Sequence, residues 1–263
     1  MAEDRVLIER HGRVLKVVNN DPKTRNSLSA DFYDGFREAM EQASDDADVG
    51  AVVLTGAQRF FCSGGNINSI RSRREADLPT RRKGVDKLHD MILAMRASPK
   101  PIIAAVDGGA AGAGASIMAA CDLIVGARDA YASVAYIKIG LTPDGGSTAF
   151  IGTAVPRQLM SEMVFTGDRI PLERLYQVGL VNRLTEPDQA LEEAMAWADQ
   201  IANMPAQALA NGKKLIDAAR LHTLKQQLDA EADGIAEAIG GREAEEGLSA
   251  FLEKRKPDWS KTR

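Results

Sequence analysis

The chain has 263 residues, of which 44% are hydrophobic and 27% are charged, so it can bury a sizeable core and is not intrinsically disordered. The formal net charge of −4 argues against a nucleic-acid partner, and no apolar run reaches the roughly 20 residues of a membrane-spanning helix. The two cysteines and three histidines are widely separated and predict neither a disulfide framework nor a metal site. The first ten residues lack an apolar secretion signal, so we expect a cytoplasmic protein with reduced thiols.

Predicted strands and helices alternate through the first two thirds of the chain. The run 13–20 predicts a strand, and Ser29 is a candidate N-cap for a helix whose apolar residues recur every fourth position. The wholly apolar run 51–54 is typical of a strand that a parallel sheet buries on both faces. Further along the chain, a helical stripe and two apolar strands are predicted at 85–95, 101–106 and 122–125.

After this alternation, nearly all of the apolar pattern has the helical period. The four predicted helices are 191–202, 206–219, 224–239 and 244–253. Alternating strands and helices predict an α/β core with crossover connections. We therefore divide the chain into an α/β core at residues 1–190 and a helical C-terminal part at residues 191–263.

Two Gly-rich stretches, 60–67 (FFCSGGNI) and 108–116 (GGAAGAGAS), each follow a predicted buried strand. Small residues let another group approach the backbone closely, and the free N–H groups at the start of a helix attract negative charge. The second stretch matches the dinucleotide pattern G-x-G-x-x-G only in part, because Ile117 stands at the third glycine. Small residues can also serve only the packing of a helix on a sheet, but two such stretches favour a shared oxyanion site.

Five segments carry a resemblance to a known family: VVLTGAQRFFCSGGNI, KPIIAAVDGGAAGAGASIMAACDLIVGA, KIGLTPDGGST, FTGD at residues 165–168 and AFLEKRKPDW. In their order and spacing the chain resembles the crotonase superfamily, also called the enoyl-CoA hydratase/isomerase family. In motif it is most similar to the members that resemble ring-1,2-epoxyphenylacetyl-CoA isomerase. The resemblance implies a crotonase (ClpP-like) spiral of ββα repeats with a helical C-terminal trimerisation region. It also implies an acyl-CoA substrate and a homotrimer or a hexamer of two trimers.

The resemblance assigns the oxyanion hole to the backbone N–H groups of Gly65 and Ala113. A carbanion next to a thioester places its charge on the carbonyl oxygen as an enolate. Two preorganised donors stabilise that charge most in the transition state, and each is typically worth about 3–4 kcal/mol. Ala113 stands where many relatives carry glycine, which is tolerable because only its N–H is needed, provided that its φ is negative.

The two glutamates that hydrate enoyl thioesters in this family align with Ser116 and Tyr136, so the usual hydratase pair is absent. One carboxylate remains nearby, in Asp144, although Pro-Asp-Gly is also a common turn sequence. This position matches an aspartate that moves protons in isomerases of the family. A single carboxylate can remove an allylic proton and return it to another carbon, so we predict an enoyl-CoA double-bond isomerase with Asp144 as its acid/base.

His89 leaves the reaction partly open. It borders the apolar stripe of its predicted helix, where a structural histidine is common, but it also matches a histidine that activates water in a dehalogenase of the family. The alternatives are a hydratase with a non-standard site, a hydrolytic dehalogenase-like enzyme with Asp144 as nucleophile and His89 as base, and an inactive CoA-thioester binder.

The resemblance also assigns residues to the coenzyme and to the acyl group. The coenzyme-binding candidates are Lys23, Thr24, Arg25, Ser63, Asn66 and Ile67, with Phe251 and Lys254 reaching the coenzyme near the C-terminus, in some relatives from a neighbouring subunit. The candidates for the acyl pocket are Met91, Ser116, Tyr136, Ile139 and Leu141. We expect no metal and no tightly bound cofactor, only the coenzyme A of the substrate. A basic cluster over 71–83 is predicted to be a mobile, solvated loop.

Overall fold

The computed structural model describes residues 4–262, and most of its strands lie in one twisted, largely parallel sheet. In chain order its strands are β1 (Val6–His11), β2 (Val14–Asn19), β3 (Ala51–Gly56), β4 (Ile102–Val106), β6 (Leu123–Ala127) and β9 (Arg183–Thr185). They are hydrogen-bonded in the order β1-β2-β3-β4-β6-β9. Only β1 is antiparallel to its neighbour, and the other pairs are parallel. The parallel pairs require the crossover connections that the sequence predicts.

A second, smaller sheet follows the ends of the main strands. It consists of β5 (Gly109–Ala111), β7 (Tyr131–Ser133) and β8 (Ile170–Pro171), in that order. Strand β5 pairs with β7 in parallel, and an isolated parallel bridge joins Cys62 to Ala110. This bridge brings the first Gly-rich stretch beside the second.

Helices cover the rest of the chain. They are α1 (Ala30–Asp45), α2 (Ile67–Ser72), α3 (Leu78–Ala97), α4 (Ala113–Ala120), α5 (Ser147–Ala154), α6 (Arg157–Thr166), α7 (Leu172–Gln177), α8 (Ala190–Ala202), α9 (Ala206–Ala218), α10 (Leu224–Ile239) and α11 (Arg242–Leu252). Short 3-10 helices lie at Pro22–Thr24, Ala135–Ile139 and Trp259–Thr262. Within residues 4–262, no helix is both long and apolar enough to span a membrane.

The main sheet is covered on both faces. On one face, α1 contributes Phe32 and Phe36 to the larger core, and Ser29 caps this helix by accepting from the Phe32 N–H. On the other face, α8 packs a stripe of alanines against β3, β4 and β6. Burial on both faces explains why β3 and β4 read as continuous apolar runs.

Helix α8 therefore belongs to the sheet-packed layers, although it begins at the boundary that the sequence suggests. The packing changes from sheet contacts to helix contacts after α8, and α9, α10 and α11 pack mainly on one another. The division into residues 1–190 and 191–263 stays a prediction. A cluster of ion pairs joins α9 to the core: the Lys213 Nζ lies 2.8 Å from Asp122, and Arg96 lies 2.6 Å from Asp217.

The basic cluster corrects one expectation. The sequence predicts a loop over 71–83, but α2 continues to Ser72 and α3 begins at Leu78. Asp77 caps α3 by accepting from the Thr80 N–H, and Pro79 occupies the first turn, where its missing N–H costs nothing. In the sequence Pro79 favours a loop, whereas in the structure it lies in the first turn of a helix.

Candidate active site

The two Gly-rich stretches run side by side, and this brings Gly64 next to the start of α4. A Cβ placed on Gly64 would lie 3.1 Å from the Ala113 nitrogen, so the backbone before Gly65 lies directly against the start of α4. Ala113 is the first residue of α4, and its N–H has no acceptor within the helix. Its φ is not positive, whereas Gly112 before it adopts φ +54°. The methyl group of Ala113 is therefore compatible with the backbone, as the sequence reasoning required.

The loop after β2 holds the first of these stretches in place. The Leu28 N–H donates to the Gly64 carbonyl (2.8 Å), and the Ser63 N–H donates to the Arg25 carbonyl (3.0 Å). Asn26, which is completely buried, donates from its side chain to the Phe60 carbonyl (2.5 Å). These bonds hold the backbone around Gly64 in place next to the start of α4. Asn26 is missing from the sequence-based site because an Asx residue after a strand looks like an ordinary turn residue.

A carboxylate lies near the start of α4. Asp144 Oδ1 accepts a hydrogen bond of 2.6 Å from the Tyr136 hydroxyl. The Tyr136 ring lies 4.0 Å from the position that a Cβ on Gly112 would take, one residue before Ala113. Ser116, one turn further along α4, donates from its hydroxyl to the Asp144 carbonyl at 2.9 Å. These contacts place Asp144 near the start of α4.

Charge and burial keep the phenol of Tyr136 protonated. Burial raises the pKa of Tyr136 most, and the negative charge of Asp144 raises it further. Tyr136 is therefore a hydrogen-bond donor to the carboxylate, not a phenolate that competes with it. Burial also raises the pKa of the Cys62 thiol to about 12, so Cys62, within the first Gly-rich stretch, stays a neutral thiol.

Comparison with known proteins identifies the family of this site. The family profile for enoyl-CoA hydratase/isomerase matches residues 9–262. The 1,2-epoxyphenylacetyl-CoA isomerase of Escherichia coli (strain K12) is 30% identical over 250 residues, covering 94% of this chain and 95% of that protein. The chain belongs to the enoyl-CoA hydratase/isomerase family.

Members of this family with other reactions are equally similar. The 2,3-dehydroadipyl-CoA hydratase of Escherichia coli (strain K12) is 31% identical, over 97% of this chain and 98% of that protein. The crystal structure of an enoyl-CoA hydratase from Polaromonas sp. JS666 matches with a TM-score of 0.93 and 37% identity, over 96% of this chain and 98% of that chain. The crotonase fold and membership of the crotonase superfamily are thus confirmed, and the chain is a family enzyme that acts on an acyl-CoA.

His89 is the catalytic candidate that forms no hydrogen bond with this cluster. It is half-buried on α3 and forms no hydrogen bond or ion pair within residues 4–262. Its neighbour Leu88 points at the Asp144 loop instead, 3.0 Å from the position that a Cβ on Gly145 would take. The role of His89 stays a prediction.

The predicted acyl-pocket residues fall into three groups. Ser116 and Tyr136 contact Asp144, as described above. Met91 is 2% exposed and belongs to the hydrophobic core under α3. Ile139 and Leu141 are exposed, at the surface of the 3-10 segment that carries Tyr136.

The predicted coenzyme residues lie in two distant regions. The first group lies in and around the first Gly-rich stretch. Lys23, Thr24 and Arg25 are exposed, and the Ser63 hydroxyl donates to the Thr24 carbonyl (2.9 Å). Asn66 caps α2 by accepting from the Asn68 and Ser69 N–H groups, and Ile67 is exposed beside it. The second group, Phe251 and Lys254, is exposed at the end of α11, and this helix contacts α10 and the C-terminal 3-10 helix.

Two side chains from the neighbouring helices were missed. Ile70 of α2 lies 3.1 Å from the position that a Cβ on Gly65 would take. Tyr33 of α1 is half-buried, and burial raises the pKa of its phenol most. The negative charge of Asp144 raises the same pKa further. Each lies on a helix whose sequence gives no motif, and only the packing of α1 and α2 around the Gly-rich segments identifies them.

Proposed function

We propose that the protein is an enoyl-CoA double-bond isomerase in which Asp144 moves the proton. The observation that carries this proposal is the hydrogen bond of 2.6 Å between Tyr136 and Asp144, beside the start of α4. In the resemblance to the family, Ser116 and Tyr136 stand at the positions of the two hydratase glutamates. The site therefore offers one oriented carboxylate, that of Asp144, instead of two. The epoxyphenylacetyl-CoA isomerase among the relatives is consistent with such chemistry.

The reaction begins with a 3-enoyl thioester whose carbonyl oxygen accepts from the Gly65 and Ala113 N–H groups. The Asp144 carboxylate removes a proton from C2, which is acidic because it lies between the carbonyl and the double bond. The electron pair spreads over a dienolate whose oxygen carries the charge, and the two N–H donors stabilise it. Asp144 then returns the proton to C4, and the double bond moves into conjugation with the carbonyl. No group is oxidised or reduced, so this chemistry needs no cofactor beyond the coenzyme A of the substrate.

The coenzyme is proposed to lie across the surface of the first Gly-rich stretch, residues 60–67. Lys23 and Arg25 supply charges that suit its phosphates, and Ser63, Asn66 and Ile67 border the same surface. Phe251 and Lys254 are exposed at the end of α11 and are proposed to contact the coenzyme of a neighbouring subunit.

An ultraviolet assay of the conjugated thioester tests the proposal. We expect the conjugated absorbance to appear when 3-hexenoyl-CoA is added, and to be lost in Asp144→Asn. Loss of absorbance from 2-hexenoyl-CoA with formation of a hydroxyacyl product would instead show a hydratase. An Asp144→Asn variant with unchanged activity on 3-hexenoyl-CoA would remove Asp144 from the mechanism.

A further inference from the structure

Helix α2 packs against Gly65, one of the two proposed oxyanion donors. Its Ile70 side chain contacts the Gly65 backbone, 3.1 Å from the position of a Cβ there. Arg73 follows Ile70 by three residues, and its N–H donates to the Ile70 carbonyl (3.2 Å). Residues three apart lie on the same side of a helix, about 4.5 Å apart along its axis. Arg73 therefore lies on the same side of α2 as Ile70, one turn further from Gly65.

The guanidinium of Arg73 is held in place but not neutralised. Its Nε donates to the Ser69 carbonyl (3.1 Å), and its Nη1 lies against Gly84 of α3, where a Cβ would come within 1.4 Å. Arg73 is half-buried, yet no carboxylate within residues 4–262 forms an ion pair with it. The next residue, Arg74, is exposed and lies 3.5 Å from Glu75. A partly desolvated charge without a counter-charge is unfavourable, and a bound anion would relieve that cost.

Helix α3 connects Arg73 to the reacting groups. Gly84, which the Arg73 guanidinium contacts, lies four residues before Leu88 and therefore on the same side of α3. Leu88 in turn lies 3.0 Å from the position that a Cβ on Gly145 would take, next to Asp144. The guanidinium therefore lies about one helical turn along α3 from the Asp144 loop.

We propose that the acyl group of the substrate ends in a carboxylate, which the Arg73 guanidinium binds. The inference rests on the proposed function, because it takes the thioester carbonyl to lie at Gly65 and Ala113. A guanidinium recognises a carboxylate through two parallel hydrogen bonds. A long aliphatic tail on the same path would bury apolar groups against this charge.

The test is a binding measurement with two unreactive thioesters that differ in one charge, adipoyl-CoA and its monomethyl ester. Calorimetric titration of the wild type should show that adipoyl-CoA binds roughly 10- to 100-fold more tightly, as expected for hydrogen bonds to a charged group. Arg73→Gln should lose this preference and keep its affinity for the ester. Arg73→Lys keeps the positive charge but cannot form two parallel hydrogen bonds to a carboxylate, so it should retain part of the preference for adipoyl-CoA. Arg74→Gln removes the same charge from an exposed position and should behave as the wild type.

Equal affinity of the wild type for the two thioesters, or a preference that survives in Arg73→Gln, would overturn the proposal. The outcome is separable from that of the isomerase assay, because the binding preference needs no turnover and 3-hexenoyl-CoA carries no carboxylate. Conjugation of 3-hexenoyl-CoA without a preference for adipoyl-CoA would leave the isomerase and reject the role of Arg73. A preference without conjugation would retain the role of Arg73 and reject the isomerase.

Discussion

At the scale of single residues, the contact between Tyr136 and Asp144 decides what chemistry the site can perform. A phenol that donates to one carboxylate oxygen fixes the direction of the carboxylate and leaves its other oxygen for a substrate proton. Ser116 fixes the same residue from the other side, through the Asp144 carbonyl. Reactions that need exact placement of one proton-transferring group depend on such supporting contacts.

Removing this phenol should impair turnover more than binding. We expect Tyr136→Phe to lower kcat on 3-hexenoyl-CoA roughly 10- to 100-fold, since hydrogen bonds to charged groups are worth about 1.5–3 kcal/mol. The dissociation constant of a saturated thioester should change little, because the phenol contacts the base and not the thioester carbonyl. Tyr176→Phe, at an exposed position on α7, serves as the control. An unchanged kcat in Tyr136→Phe would show that Asp144 is oriented by other groups.

The two cysteines give a second prediction at this scale. Both are buried, and burial raises the pKa of Cys62 from 9.0 to about 12. The folded state therefore holds the thiol proton more tightly than the unfolded state, and the stabilisation is complete below about pH 9 and is lost as the pH rises toward 12. The free energy of unfolding should fall over this window, and less steeply in Cys62→Ala.

Thiol titration at about pH 8 checks the same burial directly. The native protein should not react with a disulfide reagent, whereas both cysteines should react in denaturant. Rapid reaction of a native thiol would contradict the buried placement of these residues.

At the scale of elements, the start of α4 combines a structural task with a chemical one. Its first N–H is unused by the helix, so proline is structurally acceptable at this position. Ala113→Pro should therefore keep the helix but remove one oxyanion donor, lowering kcat roughly 100- to 1,000-fold. Ala113→Ser retains the N–H and should keep most of the activity. Circular dichroism and thermal unfolding show whether the fold is kept, and a fully active Ala113→Pro would exclude this N–H from catalysis.

The attachment of α9 to the core gives a prediction about stability. Lys213 is 7% exposed, donates to the Met95 and Lys100 carbonyls (2.9 and 3.1 Å) and pairs with Asp122. Lys213→Met would leave these acceptors buried without their donor, so we expect it to lower the free energy of unfolding by about 3 kcal/mol. Lys214→Met, at the exposed neighbouring position, should change it little. Denaturant unfolding compares the two, and equal effects would mean that the buried cluster does not stabilise the attachment.

The elements differ in how far the sequence predicts them. The helices after residue 190 are predicted within two residues at most of their ends, because their apolar period is long and Gly or Pro residues separate them. The second sheet was not predicted, since β5, β7 and β8 are two or three residues long and rich in small residues. Such strands form because the main sheet places their ends together, which is a long-range effect.

The site shows the same division. The Gly-rich segments were found by composition, and Asp144 by resemblance. Tyr33, Asn26 and Ile70 were missed, because they reach the site only through the packing of α1, α2 and the loop after β2.

At the scale of the whole molecule, the helices after α8 leave a large apolar surface exposed. Their exposed apolar side chains are Ile216, Leu221, Leu224, Leu228, Ile235, Ile239, Leu248, Phe251 and Leu252. So many exposed apolar side chains are unusual for a monomer and are typical of an interface between protein chains. We propose that it joins copies of this chain into a homotrimer, or into a hexamer of two trimers.

Light scattering should therefore give three or six times the chain mass of 28.3 kDa. The double variant Leu228→Asp with Ile235→Asp, which places two charges on α10, should reduce that mass to the mass of the single chain. A monomeric wild type at micromolar concentration would contradict the assembly.

The central claim is that one carboxylate moves a proton between two carbons of an acyl-CoA without adding water. Its most direct test is the product formed from 3-hexenoyl-CoA deuterated at C2, analysed by mass spectrometry and NMR. We predict a 2-enoyl thioester to which no water has been added, with deuterium delivered to C4 by the wild type and no product from Asp144→Asn. A hydroxyacyl product heavier by one water, or the same product from Asp144→Asn, would contradict the account.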